Sequence, residues 1–187
     1  MIQRVGGSSI SVSSPDMLSS VDKIILPGVG HFDAGMSALI DRGFYDALMD
    51  AEMHQKRPLL GICLGMQLLC NSSEEGIRPG LGLVDARVLK FRFEAGSTLK
   101  VPHMGWNSIA AIRDNPILPI SDEEQRFYFV HSYKVVPGDP DLTIAQATYG
   151  GEFCAAFQQE NIFGVQFHPE KSHRFGMDLM KRFVEHK

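Results

Sequence analysis

An apolar run, Leu59 to Ile62, ends at a cysteine held between two glycines, and a helical pattern begins at once in Gly61-Ile62-Cys63-Leu64-Gly65-Met66-Gln67. That order predicts a strand, a sharp turn and a helix, the layout of a nucleophile elbow written with Cys in place of Ser. Gly61 and Gly65 sit where a Cβ would obstruct the turn or the close approach of a neighbouring element. The turn lifts the sulfur clear of a sheet and leaves it at a helix N-terminus, where unpaired N–H groups and the macrodipole favour thiolate. A fold with buried strands running into helices is therefore required, and Cys63 is the candidate nucleophile.

The chain supplies a partner for it near the C-terminus, in Ile162-Phe163-Gly164-Val165-Gln166-Phe167-His168-Pro169-Glu170. This reads as a strand with a His at its end and a carboxylate two positions on. In extended geometry residues i and i+2 share a side, with Pro169 fixing the backbone between them. Glu170 then accepts from one ring nitrogen of His168, and the other nitrogen is left to face a nucleophile. Cys63, His168 and Glu170 form the expected triad.

Further words recur with these: Leu26-Pro27-Gly28-Val29-Gly30-His31-Phe32, Pro102-His103-Met104-Gly105-Trp106-Asn107 and Phe129-Val130-His131-Ser132-Tyr133. With the elbow and Gly164-Val165-Gln166-Phe167-His168-Pro169-Glu170-Lys171-Ser172, they resemble the class I, triad-type glutamine amidotransferases over nearly the whole chain. Within that class they resemble the glutaminase subunits of imidazole glycerol phosphate synthase, from histidine biosynthesis. The resemblance implies hydrolysis of glutamine to glutamate and ammonia through a Cys63 thioester. An elbow places the N–H of the residue after the nucleophile, Leu64, at the developing oxyanion. A second donor is expected from the loop Pro27 to Gly30 at a strand's C-terminal end, where open α/β sheets bind ligands. The resemblance assigns it to Val29.

Gln67 lies four residues after Cys63, on the same helix face. The resemblance makes it a glutamine contact, adds Ser132 and Tyr133 as the segment that binds the substrate's α-groups, and makes Gly30 a wall of the pocket. It also implies a partner, a (β/α)₈-barrel cyclase subunit that receives the ammonia, with Trp106, Tyr128 and Lys171 at the interface. His31, His103 and His131 are read as structural, and no cofactor or metal is implied.

Composition sets outer bounds. With 187 residues, 44% hydrophobic and 21% charged, the chain is expected to form a single α/β domain spanning 1–187. A net charge of −4 gives no footprint for nucleic acid or an anionic membrane. No apolar run reaches the roughly 20 residues that span a bilayer. Three irregularly spaced cysteines suit neither a disulfide framework nor a metal site, so a cytoplasmic, reducing compartment is expected, with Cys70 and Cys154 in the core.

The pattern predicts strands at Ile10 to Ser13, Val21 to Leu26 and Leu59 to Ile62, and a helical stretch from Ala34 to His54 that Gly43 can split. A helix follows at Leu64 to Asn71. From Arg87 the signal changes to short strands: Val88 to Phe91, Asn107 to Ile112, Phe127 to Val135, Leu142 to Thr148, Phe153 to Gln158 and Ile162 to Phe167. A last helix carries Phe175, Leu179 and Phe183 on one face. The expected fold is the flavodoxin-like three-layer α/β class, a mostly parallel sheet with helices on both faces plus a smaller antiparallel strand region.

Members of the resembled family open with an apolar strand and a D-Y-G-x-G-N loop, whereas Met1 to Gly7 resembles the end of their first helix. About twenty residues of the family pattern are thus expected to be absent, and an inner strand lost from a sheet leaves buried backbone groups unpaired. The glutaminase of a different class I synthase, or an inactive partner-binding fragment, are the two other readings these motifs permit.

Overall fold

The computed structural model describes residues 1–186. In chain order the elements are β1 (Ile24–Gly28), α1 (Phe32–Asp41), α2 (Phe44–Gln55), β2 (Leu59–Cys63), α3 (Leu64–Leu68), β3 (Ser72–Ser73), β4 (Ala86–Lys90) and β5 (His103–Ala111). There follow β6 (Gln125–His131), β7 (Tyr133–Pro137), β8 (Thr143–Thr148), β9 (Glu152–Gln159), β10 (Ile162–Val165) and α4 (His173–Glu185). The ten strands form one sheet in the order β1-β2-β10-β9-β7-β4-β3, with β8 branching from β9 and carrying β5 and then β6. Pairing is parallel for β1–β2, β2–β10 and β3–β4, and antiparallel elsewhere. This is the mixed α/β architecture expected, with parallel strands where Cys63 sits.

The period of two along a strand divides the core between the two faces. Leu59 and Ile162 pack with Phe32, Met36, Leu48 and Met66 on the side of α1, α2 and α3. Leu60 and Phe163, one residue on, pack with Leu179, Met180 and Phe183 of α4 on the other side. Phe163 and Phe183 are essentially fully buried, each contributing about 1.5–3 kcal/mol of hydrophobic stabilisation. The register sets Leu26, Gly61 and Gly164 side by side across three strands. A Cβ on Gly164 would lie 2.4 Å from the Phe157 ring and 2.6 Å from Met66 Cγ, so this glycine is what lets α3 press its methionine onto the sheet.

Several elements differ from expectation in instructive ways. Ile10 to Ser13 is not a strand, and Ile10 is exposed. A serine-rich segment with two apolar residues buries too little to hold an extended partner. The helix after the elbow stops at Leu68, and Phe127 to Val135 is two strands broken at Ser132. Gly43 does divide the long helical stretch, adopting φ +73° between α1 and α2. Among the described residues, no helix is long and apolar enough to cross a membrane.

Candidate active site

Cys63 is the last residue of β2 and the N-cap of α3, at φ 53° and ψ −111°. A non-glycine residue held there stores strain of about 1–3 kcal/mol, which the surrounding packing must maintain. Gly61 and Gly65 make it sustainable. A Cβ on Gly65 would lie 1.8 Å from the Leu26 carbonyl oxygen, and one on Gly61 would lie 2.7 Å from the Met66 backbone nitrogen. The sulfur points toward the Val130 carbonyl at 3.9 Å and accepts from the Gln166 side-chain amide at 3.8 Å. The expectation that the helix terminus favours thiolate is not met. Burial pushes the Cys63 thiol up to about 11, with the Glu170 charge adding to it and the Leu64 N–H, Lys171 and Gln166 opposing. A five-residue helix has a small dipole, and desolvation of a thiolate outweighs it.

His168 follows β10, and its Nδ1–H donates to Glu170 Oε1 at 2.7 Å. The route is not the extended one. Pro169–Lys171 is a turn of 3₁₀ helix, which brings Glu170 round beneath the ring. In the neutral ring a proton on Nδ1 leaves the lone pair on Nε2, which is buried and has no hydrogen-bond partner among the described residues. Ser172 fixes the backbone of this turn. Its hydroxyl donates to the His168 carbonyl at 2.6 Å and accepts from the Tyr128 N–H at 3.1 Å, while the His168 N–H donates to the Tyr128 carbonyl at 2.9 Å. Ser172 is fully buried; its sequence signal, a serine in an N-capping position, points only to α4.

Cys63 and His168 open onto one cavity of about 280 Å³. Val29, Gly30, Leu64, Gln67, Ser132 and Tyr133 all line it, so every residue expected at the oxyanion or the substrate is gathered there. Glu170 does not line it and meets His168 only at Nδ1. Glu75, not anticipated from the sequence, adds a carboxylate to the wall and accepts from the Phe32 N–H at the start of α1 at 2.8 Å. A larger cavity of about 830 Å³ runs along the edge strand β1, but it contains none of Cys63, His168 and Glu170. The expected site residues are gathered at the smaller one.

The family model described as "Glutamine amidotransferase class-I" matches residues 9–187. The chain belongs to the class I glutamine amidotransferases. It is 49% identical over 185 residues to the imidazole glycerol phosphate synthase subunit HisH 2 of Pseudomonas aeruginosa, covering 99% of this chain and 91% of that one. It is 46% identical to the protein of the same name from Methanococcus maripaludis, with the same coverage. The fold is similar to that of a candidate GMP synthase protein from Thermoplasma acidophilum, with TM-score 0.72, 20% identity, and coverage of 98% of this chain and 83% of that one.

The amidotransferase cavity is backed by a polarised pair of histidines. His131 Nδ1–H donates to the Tyr133 carbonyl at 2.7 Å, so its Nε2 accepts, and His103 Nδ1–H supplies that bond at 3.0 Å. Asn107 Nδ2 completes the chain on His103 Nε2 at 3.3 Å. Both rings lie among Phe91, Phe129 and Phe153. Burial depresses their protonation, His103 to about 4 and His131 to about 3. In the unfolded chain both protonate near pH 6.5, while the native state keeps them neutral. Their contribution is therefore complete above pH 6.5 and lost progressively as pH falls through 4 and 3. Denaturant titrations between pH 7 and pH 3 are expected to show stability falling by several kcal/mol, on the order of 1.4 kcal/mol for each tenfold difference in proton affinity between the folded and unfolded chain. In a His103→Gln, His131→Gln double variant that slope should flatten.

Trp106, Tyr128 and Lys171 also come together in this amidotransferase. Trp106 faces Tyr128 directly across β5 and β6, edge-on at 6.2 Å, and Lys171 Nζ lies 5.4 Å over the Tyr128 ring. His173, which the sequence did not single out, stacks on Trp106 at 5.2 Å. Trp106 is 41% exposed, so the patch presents an aromatic face beside a cation.

Proposed function

We propose that this chain is the glutaminase subunit of an imidazole glycerol phosphate synthase. It hydrolyses glutamine and passes the ammonia to a partner subunit. The observation that carries this reading is that Cys63 and His168 line one cavity, with His168 Nδ1 held by Glu170 and its Nε2 without a hydrogen-bond partner among the described residues. The HisH relatives at 46–49% identity support the particular synthase.

In the resting state Cys63 is a thiol, because burial holds its proton. Glutamine enters with its side-chain amide carbon over the sulfur. His168 Nε2 takes the thiol proton as the S–C bond forms, and Glu170 stabilises the resulting imidazolium. The Leu64 N–H, with the Val29 N–H from the loop after β1, receives the oxyanion; losing one such donor costs about 10²–10³ in rate. His168 then protonates the departing nitrogen, ammonia leaves, and a thioester remains on Cys63. Water attacks the thioester with His168 as general base, releasing glutamate and restoring the thiol. Gln67, Ser132, Tyr133 and Gly30 hold the substrate's α-end, and Glu75 supplies a charge suited to its ammonium group.

Ammonia released at neutral pH is rapidly protonated and lost, so a second active site must lie close. A (β/α)₈-barrel cyclase that builds imidazole glycerol phosphate is the proposed receiver, docked on the face that carries Trp106, Tyr128 and Lys171. Aromatic residues are enriched at such contacts. The reducing cytoplasm suits a chain that keeps Cys63 as a free thiol.

The test is glutamate release from glutamine, measured with and without the cyclase and its nucleotide ligand. Activity that rises with partner and ligand, and disappears in Cys63→Ala, is the expected result. A folded wild-type chain with no glutamate release under either condition would overturn the proposal. With Trp106→Ala, partner affinity should fall while Cys63 alkylation stays unchanged; equal affinity would remove that residue from the interface.

A further inference from the structure

Gln166 is a polar residue between Val165 and Phe167 to which the sequence motifs give no role. It has no exposed surface at all. A buried primary amide must have its donors and acceptor matched, and each match constrains what surrounds it. The Gln166 N–H donates its backbone bond to the Ala155 carbonyl at 2.9 Å, fixing the main chain just beyond β10. The side chain then turns to the opposite face from Val165 and Phe167, toward α3. Its Oε1 accepts from Gln67 Nε2 at 2.9 Å, and its own Nε2 donates to Cys63 Sγ at 3.8 Å.

An amide can be turned over, so what decides that an N–H and not a C=O meets the sulfur? The answer lies one link further on. Gln67 Nε2 also donates to the Tyr133 carbonyl at 3.3 Å. A backbone carbonyl can only accept, which obliges Gln67 to present nitrogen on this side. That nitrogen obliges Gln166 to answer with oxygen, and the remaining end of Gln166 is necessarily its NH₂ group. The Tyr133 carbonyl is itself fixed by the His131 Nδ1–H at 2.7 Å. The order Tyr133 C=O, Gln67, Gln166, Cys63 is thus a hydrogen-bond chain with one allowed polarity.

We propose that Gln166 is a positioning residue for the nucleophile, holding the Cys63 sulfur in place by donating its amide N–H to it in a chain whose direction is set at the Tyr133 carbonyl. The inference rests on the reading of Cys63 as nucleophile. An N–H aimed at sulfur is worth more to a thiolate than to a thiol, because bonds to an ionised partner are roughly twice as strong. Gln166 accordingly counters part of the burial that keeps Cys63 protonated. The other charged or titratable groups around the sulfur are His168 and the Glu170 and Lys171 charges from the turn after β10, Glu75 across the cavity, His131 at the end of β6 and Tyr133 at the start of β7.

The deciding experiment is the pH dependence of Cys63 alkylation by iodoacetamide, followed on the Cys63 peptide so that Cys70 and Cys154 do not contribute. Gln166→Leu removes the donor, and alkylation at a fixed pH below the inflection is expected to slow about tenfold, as for loss of a charge-assisted bond. Gln166→Glu keeps the shape and sets an oxygen against the sulfur, and should move the inflection further upward. A residue that only fills space would leave the inflection where it is in both variants. That result, in variants with wild-type circular dichroism, would overturn the proposal. A measurement on the unsubstituted residue runs alongside. The Gln166 side-chain NH₂ signals should titrate with the same inflection as alkylation in wild type and not in Cys63→Ala; signals that stay still overturn the proposal. Alkylation needs no glutamine turnover, so failure of the glutaminase reading and failure of this inference are seen separately.

Discussion

His168→Ala is expected to lower glutamine hydrolysis by about 10⁴–10⁶, measured as kcat with the partner and its ligand present. The size follows from the state of the nucleophile. With its thiol pushed up to about 11, Cys63 is almost wholly protonated at neutral pH and depends on the imidazole to take its proton. A free cysteine with an ordinary thiol would retain a few per cent of thiolate without any base; this one does not. Cys63→Ala should give a loss of the same order, and the double variant should be no worse than either single one, because the two residues act together. Glu170→Gln should cost less, about 10², at the low end of general acid–base contributions. An amide oxygen can still accept from Nδ1–H and keep the tautomer, and half of the Glu170 side chain is already in solvent. Additive losses in the double variant would contradict the joint action of Cys63 and His168.

What the sequence made legible, and what it did not, follows from the range of each signal. The elbow could be read because Gly61, Cys63 and Gly65 act on one another within a few residues. The unbroken apolar runs Leu59-Leu60 and Ile162-Phe163 are equally local, and they mark strands covered on both faces of the sheet. The proposed triad needed two distant words, but each word carried its own chemistry. The misses are non-local. Whether Cys63 ionises depends on how deeply α3 and β6 bury it, which no dipole argument contains. The break at Ser132 comes from β6 leaving to pair with β5 while β7 pairs with β4 and β9, a choice made across the sheet. Gln166 is the sharpest case. A polar residue alternating with apolar ones reads as a solvent-facing position, and here that face is covered by α3.

Gly65→Ala is expected to be the most damaging single methyl in the chain. The added Cβ would stand 1.8 Å from the Leu26 carbonyl oxygen and 2.8 Å from its carbon. Both are backbone atoms of β1, so no rotamer change relieves the contact. Either α3 lifts from the sheet or β1 moves away from it. Leu26 is in register with Gly61 on β2, and lifting α3 pulls Met66 away from Gly164, on which it packs beside Phe157 of β9. Overpacking typically costs about 1–3 kcal/mol; against immobile main chain, the upper end or beyond is expected, read as a fall in the denaturation midpoint. The functional loss should exceed what stability predicts. The same displacement shifts the Leu64 N–H and unsettles the positive-φ turn at Cys63, so the fraction that remains folded should still hydrolyse glutamine poorly. Gly96→Ala makes the comparison. Its φ of +92° strains an alanine in a way that Gly65 does not, but a Cβ there meets nothing within 4 Å and lies far from the elbow in sequence, so it separates backbone strain from close packing. If both variants lost stability equally and Gly65→Ala kept full activity per folded molecule, close packing of α3 on β1 would not be what holds the nucleophile in position.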